Sequence, residues 1–451
     1  MTLHDDGLPL PQRYWAMLAI GLGISMSVLD MSIANIALPS IAQAVQASPA
    51  QSIWVINAYQ LAIIMTLLPL ASLGEQVGYR RVYQAGVLVF TVGSLACALS
   101  ASLPAVIASR ALQGLGAAGL MSVNAALVRF TYPRALLGRG IGINAMTVSI
   151  FSALGPTIAA AVLSLASWQW LFAINVPVGI VNGLLASRAL PEAELSGQPF
   201  GWTGALLSAL AFGLLFLGVD AFTHSQWSSW IGATLLIMAV AAGGHLIQQQ
   251  RHLSQPLIPL DLLRIRAFSL AAAVSVTAFT AYALAFVSLP FYFVSELHRS
   301  QAETGLLLTP WPVAVALTAP VAGRLCDRVS PGLLVAVGLA LLSSSFALLA
   351  VLPLQASWLQ IGWRMVLSGV GFGLFQTPNN RVFLSSAPRA RSGAAGGMLA
   401  AARQVGMTAG AALAAVVFWW IPSHTEPVSL GIAAALGIVA ASVSLPRSSH
   451  D

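Results

Sequence analysis

The run from Trp15 to Leu38, WAMLAIGLGISMSVLDMSIANIAL, decides the architecture. It is long enough to cross a bilayer as one helix, since a hydrocarbon core of about 30 Å takes about 20 residues at about 1.5 Å each. Asp30 stands inside it, and no other apolar segment carries a carboxylate well inside. A charge at the bilayer centre costs on the order of 3 kcal/mol on insertion scales, so Asp30 must pair with a cation or hold a proton part of the time. A residue that alternates between those states can couple proton movement to another process.

The rest of the chain has the same character. It is 451 residues long, 58% hydrophobic and 7% charged, with mean hydropathy +0.84. Soluble domains are about 25% charged. Spans of about 20 residues are too long for barrel strands, so an all-α polytopic membrane protein is expected.

All 20 basic residues are Arg. Without Lys, Gly-rich stretches such as Gly114-Leu115-Gly116 cannot form a phosphate-binding loop, which excludes ATP-driven transport by this chain alone, and no Schiff base can form. The net charge of +7 does not point to nucleic acid, because the Arg residues are dispersed in short loops. No His-Glu-x-x-His or Gly-x-Ser-x-Gly pattern occurs, so no enzyme and no metal site is expected. Cys97 and Cys326 fall in a span and a loop, an arrangement that does not suggest a disulfide. The first apolar run, preceded by Asp5 and Asp6, reads as a retained helix and not a signal peptide.

Apolar segments at 15–38, 52–72, 82–100, 103–128, 140–163, 171–190, 203–220, 229–247, 268–293, 304–322, 332–352, 358–380, 393–420 and 428–445 predict 14 transmembrane helices. With the N-terminus inside, 16 Arg residues are cytoplasmic, Arg299 alone is outside, and Arg110, Arg364 and Arg403 lie within spans. The positive-inside rule then places both termini in the cytoplasm.

The halves repeat each other. Glu75 follows span 2 and Asp327 follows span 10, 252 residues later; Arg110 in span 4 and Arg364 in span 12 are 254 apart. Residues 1–190 form one six-helix half and 267–451 the other, with two extra helices and their connectors at 191–266. Trp202, Asp220, His224, Trp227 and Trp230 mark the ends of that extra hairpin, and Arg251, Pro256 and Pro259 the connector after it. Parallel repeats of this kind place a substrate site between halves that rock about it.

Several motifs carry a family resemblance. Asp30 to Pro39 (DMSIANIALP), Gly74 to Arg81 (GEQVGYRR), Arg110 to Gly116 (RALQGLG), Gly155-Pro156, and Trp170 to Gly179 (WLFAINVPVG) occur in order. Together they resemble the major facilitator superfamily, in particular its fourteen-span drug:proton antiporter branch (EmrB/QacA-like). The resemblance implies the major facilitator fold of two six-helix halves plus two additional helices. It implies gating by the loop after span 2, with Glu75 where Asp is usual.

Depth links Asp30 with Arg110 independently. Asp30 lies 15 residues from the inner end of span 1, about 22 Å, and Arg110 seven residues from the outer end of span 4, about 10 Å. In a core of about 30 Å these levels coincide. Either Asp30 titrates while Arg110 tunes it, or the two form a permanent structural pair; Arg does not release its proton, so Asp30 is the better carrier. Glu75, Gly78, Arg80, Arg81, Asp327 and Arg328, with Gly155 and Pro156, are the gating candidates. The loop motif sets Glu75 beside Arg80 and Arg81, and Asp327 beside Arg328, as a lock or as solvated topology charges.

Candidates for a substrate cavity are Asn57, Gln60, Gln113, Asn144, Tyr282, Trp311, Arg364, Gln376 and Arg403. Polar residues in spans serve as interhelical hydrogen bonds or ligand contacts, and the two arginines either bond backbone and polar neighbours or attract an anionic substrate. The expected function is a proton-coupled antiporter exporting small amphipathic or drug-like compounds by alternating access; the alternative is a proton-coupled transporter of a metabolite or organic anion. The expected partners are a small-molecule substrate, protons and the lipid bilayer, with no nucleic acid. No cofactor beyond the proton gradient, a monomer, and residence in a bacterial inner membrane complete the expectation.

Overall fold

The computed structural model describes residues 7–47, 49–52, 54–192, 200–223, 229–250, 261–299, 301–353, 355–388, 391–420 and 425–444. Asp5, Asp6, His224, Trp227, Arg251, Pro256, Pro259, Arg389 and Arg447, and the side chains of Asn35, Pro156 and Asp220, lie outside the described residues.

The described chain is helical throughout, without a strand. The first half comprises α1 (Gln12–Ala44), α2 (Trp54–Val77), α3 (Tyr79–Leu99), α4 (Leu103–Thr131), α5 (Leu137–Leu165) and α6 (Asn175–Ala189). A hairpin follows, α7 (Trp202–Thr223) and α8 (Ser229–Gln250). The second half comprises α9 (Arg266–Phe291), α10 (Pro310–Leu325), α11 (Pro331–Ala350), α12 (Trp358–Ser386), α13 (Ser392–Trp420) and α14 (Thr425–Ser444).

Among the described residues, 12 helices are long and apolar enough to cross a membrane. The expected count of 14 is therefore not reached on that criterion: α12 and α13 are not among the 12. Arg364, Gln376, Asn379, Asn380 and Arg381 make α12 too polar, while in α13 residues 412, 415 and 418–420 have side chains outside the described residues, which leaves only 392–411, with Arg403 and Gln404, as a continuous described stretch. Both are nonetheless 29 residues long and packed in the bundle, α12 on α10 and α11, α13 on α9, α2 and α4.

The sequence repeat reappears as matching backbone contacts. A Cβ on Gly116 of α4 would strike Phe90 N and Gly86 O of α3; one on Gly371 of α12 would meet Leu342 N at 2.5 Å and Gly338 O at 2.7 Å on α11. Gly114 likewise lies on the Tyr59 carbonyl of α2, and Gly369 on the Trp311 carbonyl of α10. Only glycine lets two helix backbones approach this closely. The hairpin docks through α7, which packs on α2 and α13 at the seam between the halves.

One end of the bundle carries Arg80, Arg129, Arg139, Arg381 and Arg391 and is closed. There Phe268 and Phe383 of the second half, 4.4 Å between ring centroids, pack in one apolar cluster with Tyr79, Val82 and Leu127 of the first. Gly138 of α5 abuts the Gly323 carbonyl at 2.6 Å, and Gly142 the Ala319 carbonyl at 2.7 Å, measured from a Cβ built on each.

Candidate functional site

Asp30 on α1 is 1% exposed and Arg110 on α4 is wholly buried. Arg110 Nη1 donates to Asp30 Oδ2 in a buried ion pair. The second carboxylate oxygen accepts from Gln113 Nε2 at 2.7 Å and from Asn175 Nδ2 at 3.2 Å. Gln113, one turn along α4 from Arg110, also accepts from Arg110 Nη1 at 2.6 Å and donates to Ser94 Oγ at 2.8 Å. Arg110 Nε donates to the Val55 carbonyl at 3.0 Å, while Nη2 has no hydrogen-bond partner among the described residues. Its guanidinium lies 4.2 Å from the centroid of the Tyr59 ring. Three helices thus meet at one carboxylate: α1 carries Asp30, α4 supplies Arg110 and Gln113, and α6 supplies Asn175.

A cavity of about 500 Å³ lies beside this centre, between the halves. Its walls come from α1, α2, α4, α5, α9, α12 and α13, and from Phe212 of the hairpin. Tyr59 and Ser27 line the cavity, and the Tyr59 hydroxyl donates to the Ser27 carbonyl at 3.1 Å. Arg110 lies over the same Tyr59 ring, so this residue touches both the cavity and the ion pair.

Of the nine residues expected at a cavity, Gln60, Asn144, Gln376 and Arg403 line this one. Gln113 belongs to the Asp30 network. Asn57 is buried in α2 outside the lining. Tyr282 stacks on Trp311 at 5.1 Å in an aromatic cluster completed by Phe286 and Phe372. Arg364 turns back to its own helix, donating to the Gln360 carbonyl at 2.6 Å with its guanidinium 4.6 Å from the Trp363 ring. Sequence reasoning did not single out Tyr59 or Asn124 as cavity residues; an aromatic and a lone amide in long apolar helices carry no distinguishing pattern.

At the closed end the charges pair across the halves. Glu75 Oε1 accepts from the Ala394 amide at 2.6 Å, in the first turn of α13, where the helix dipole favours a carboxylate. Its other oxygen faces Arg391 at 3.5 Å, Arg391 reaches Asp261 at 3.1 Å, and the Tyr79 hydroxyl accepts from the Gly393 amide at 2.8 Å. Asp327 meets Arg381 at 3.0 Å and Arg139 of the opposite half at 3.4 Å. The carboxylates therefore do not pair with their sequence neighbours: Arg80 binds Glu192 at 2.9 Å, Arg81 points to the Val77 carbonyl at 3.5 Å, and Arg328 is exposed. Gly78 has φ +101°, which a side chain would strain. Gly155 abuts Ser32 within the first half. In the adjoining loop, burial pushes the Cys326 thiol up to about 11.

A family described as Major Facilitator Superfamily matches residues 20–262 and 270–451. The chain is 52% identical to the uncharacterized transporter YebQ of Escherichia coli (strain K12), over 98% of this chain and 97% of that one. It is 31% identical to the riboflavin transporter RibZ of Clostridioides difficile (strain 630), covering 89% and 88%. It is also 31% identical to the multidrug resistance protein Stp of Mycobacterium tuberculosis (strain CDC 1551 / Oshkosh), covering 91% and 77%. Matched through both halves of its helical bundle, the chain belongs to the major facilitator superfamily and is a multi-pass membrane transporter, not an enzyme.

Proposed function

We propose that the protein is a proton-coupled antiporter that exports small amphipathic, drug-like compounds by alternating access. One observation carries the reading: Asp30, buried inside a membrane-spanning helix, is ion-paired with Arg110, and the Tyr59 ring on which Arg110 lies also lines a drug-sized cavity. Movement of Tyr59 by a ligand would disturb the donors on Asp30 and so its hold on a proton. The likeness to Stp supports export of drug-like compounds.

The reading includes the fourteen-span branch. Helices α12 and α13, at 29 residues each, reach about 43 Å, long enough to cross a hydrocarbon core of about 30 Å, and their packing among the other spans supports the same count. The Arg-rich end is then cytoplasmic in a bacterial inner membrane, with both termini inside. The conformation is closed toward the cytoplasm, and the Glu75 and Asp327 clusters bias it so, because opening inward breaks them unless other contacts replace them.

A second reading, transport of a metabolite, is supported by the equal likeness to RibZ. The deciding experiment reconstitutes the protein in liposomes with an imposed pH gradient and follows a panel of amphipathic dyes and of metabolites. Gradient-driven movement of dyes, lost in Asp30→Asn, supports the first reading. Movement of metabolites alone supports the second, and undiminished driven movement in Asp30→Asn removes Asp30 as carrier.

A further inference from the structure

The cavity has a charge of its own. Arg403 is the one ionised residue among those that line it, and no Asp or Glu faces it there. Among the described residues Arg403 makes no hydrogen bond and no ion pair; its guanidinium lies 5.5 Å from the centroid of the Phe279 ring. Arg110, by contrast, has a carboxylate, an amide oxygen and a backbone carbonyl. A guanidinium does not shed its proton to escape a low-dielectric site, so Arg403 stays charged. A buried charge without a counter-ion is costly until something supplies one.

Two further polar atoms in the same wall lack partners. Asn124 Nδ2 and Asn144 Oδ1 are buried, line the cavity, and meet no hydrogen-bonding group among the described residues. Asn124 is 6% exposed. Both lie seven residues from the Arg-rich ends of their helices, about 10 Å deep, whereas Arg403 lies 11 residues into α13, about 16 Å deep. The remaining wall is mostly apolar, including Ile63, Leu67 and Met121. A volume of about 500 Å³ lies in the range of pockets that enclose drug-sized ligands.

We infer that the cavity takes amphipathic organic anions, with Arg403 as the counter-ion of a carboxylate or similar group. Asn124 and Asn144 recognise an uncharged hydrogen-bonding group about 6 Å further toward the Arg-rich end, by the same rise along the helices. A cationic ligand would meet a like charge with no acid in the wall to offset it. The inference rests on the transport reading for its site, and names the class of substrate.

Its test needs no gradient. Binding to purified protein in an uncharged detergent is measured by calorimetry for three heads on each of three bodies: carboxylate, methyl ester and ammonium on naphthyl, biphenyl and decyl groups. The carboxylates are expected to bind at least about tenfold more tightly than the esters and ammonium compounds on one or more bodies, a difference of about 1.4 kcal/mol. Arg403→Gln removes that preference and leaves ester binding within about twofold, and Arg403→Lys retains part of it. The wild-type ranking stands without either variant if one fails to fold. Equal affinities, a preference for ammonium, binding of none of the compounds, or an unchanged preference in Arg403→Gln overturns the inference. A carboxylate preference in a protein that fails to drive efflux leaves the inference and removes the export reading; driven efflux of ammonium compounds does the reverse.

Discussion

The repeat puts the same positions to opposite uses. In the first half Asp30, Tyr59 and Arg110 meet in one buried charged centre. The positions 252, 252 and 254 residues later hold Tyr282, Trp311 and Arg364. There the acid has become a second aromatic, which stacks on the first at 5.1 Å, and the arginine has turned away to its own helix and Trp363. The backbone frame is the same, since Gly114 rests on the Tyr59 carbonyl as Gly369 rests on the Trp311 carbonyl. One half thus holds a group that can change charge and the other a packed ring cluster that cannot. On the proposed function, coupling is then asymmetric although the scaffold is duplicated.

The largest expected effect lies in the charged triad. Arg110→Ala leaves a buried carboxylate without its cation, a loss of about 3–5 kcal/mol for a broken buried pair, and gradient-driven transport should fall by about 100-fold or more. Asp30→Asn added to that variant should cost little more, because the two residues act as one unit. Additive losses in vesicle transport would separate them.

In the aromatic cluster the balance should reverse. Trp311→Ala is expected to lower stability by about 3 kcal/mol in thermal melts while the surviving folded protein keeps its dependence on the pH gradient. Loss of coupling without loss of stability would break the asymmetry.

A smaller effect concerns the closed end. With its thiol pushed up to about 11, Cys326 carries little thiolate at neutral pH. The sign follows: maleimide labelling in a Cys97→Ser background should rise about tenfold per pH unit until the pH nears that value. Asp327→Asn, which removes the partner of Arg139 and Arg381, should speed labelling several-fold at fixed pH. An unaltered rate would show that the cluster does not hold this end shut.

Smallest of all, Tyr282→Phe and Arg364→Ala should change driven transport by no more than about twofold, since neither residue bonds a group that titrates. A large loss in either would give the second half a share in coupling.

Much of this arrangement was legible in the sequence. Asp30 announced itself as a lone acid, and its level in α1 matched that of Arg110 in α4. The repeat could be read from Glu75 and Asp327, and from the two arginines. What could not be read was which side chains from other helices close around a site: Asn175 and Ser94 reach the Asp30 network from α6 and α3. Sequence adjacency also set Glu75 beside Arg80 and Arg81, whereas the fold brings it to the first turn of α13, 319 residues away. Nor could the sequence tell what the polar residues of α12 face: Asn379 is buried against Ser275 and Gln376 lines the cavity.

The central claim is that Asp30 carries the proton, and the most direct measurement is proton exchange with bulk solvent when a ligand binds, followed across pH in weakly buffered detergent solution. Wild-type protein should exchange protons in a pH-dependent way, whereas Asp30→Asn should bind the same ligand with no exchange. Proton exchange of equal size and pH dependence in Asp30→Asn would contradict the account.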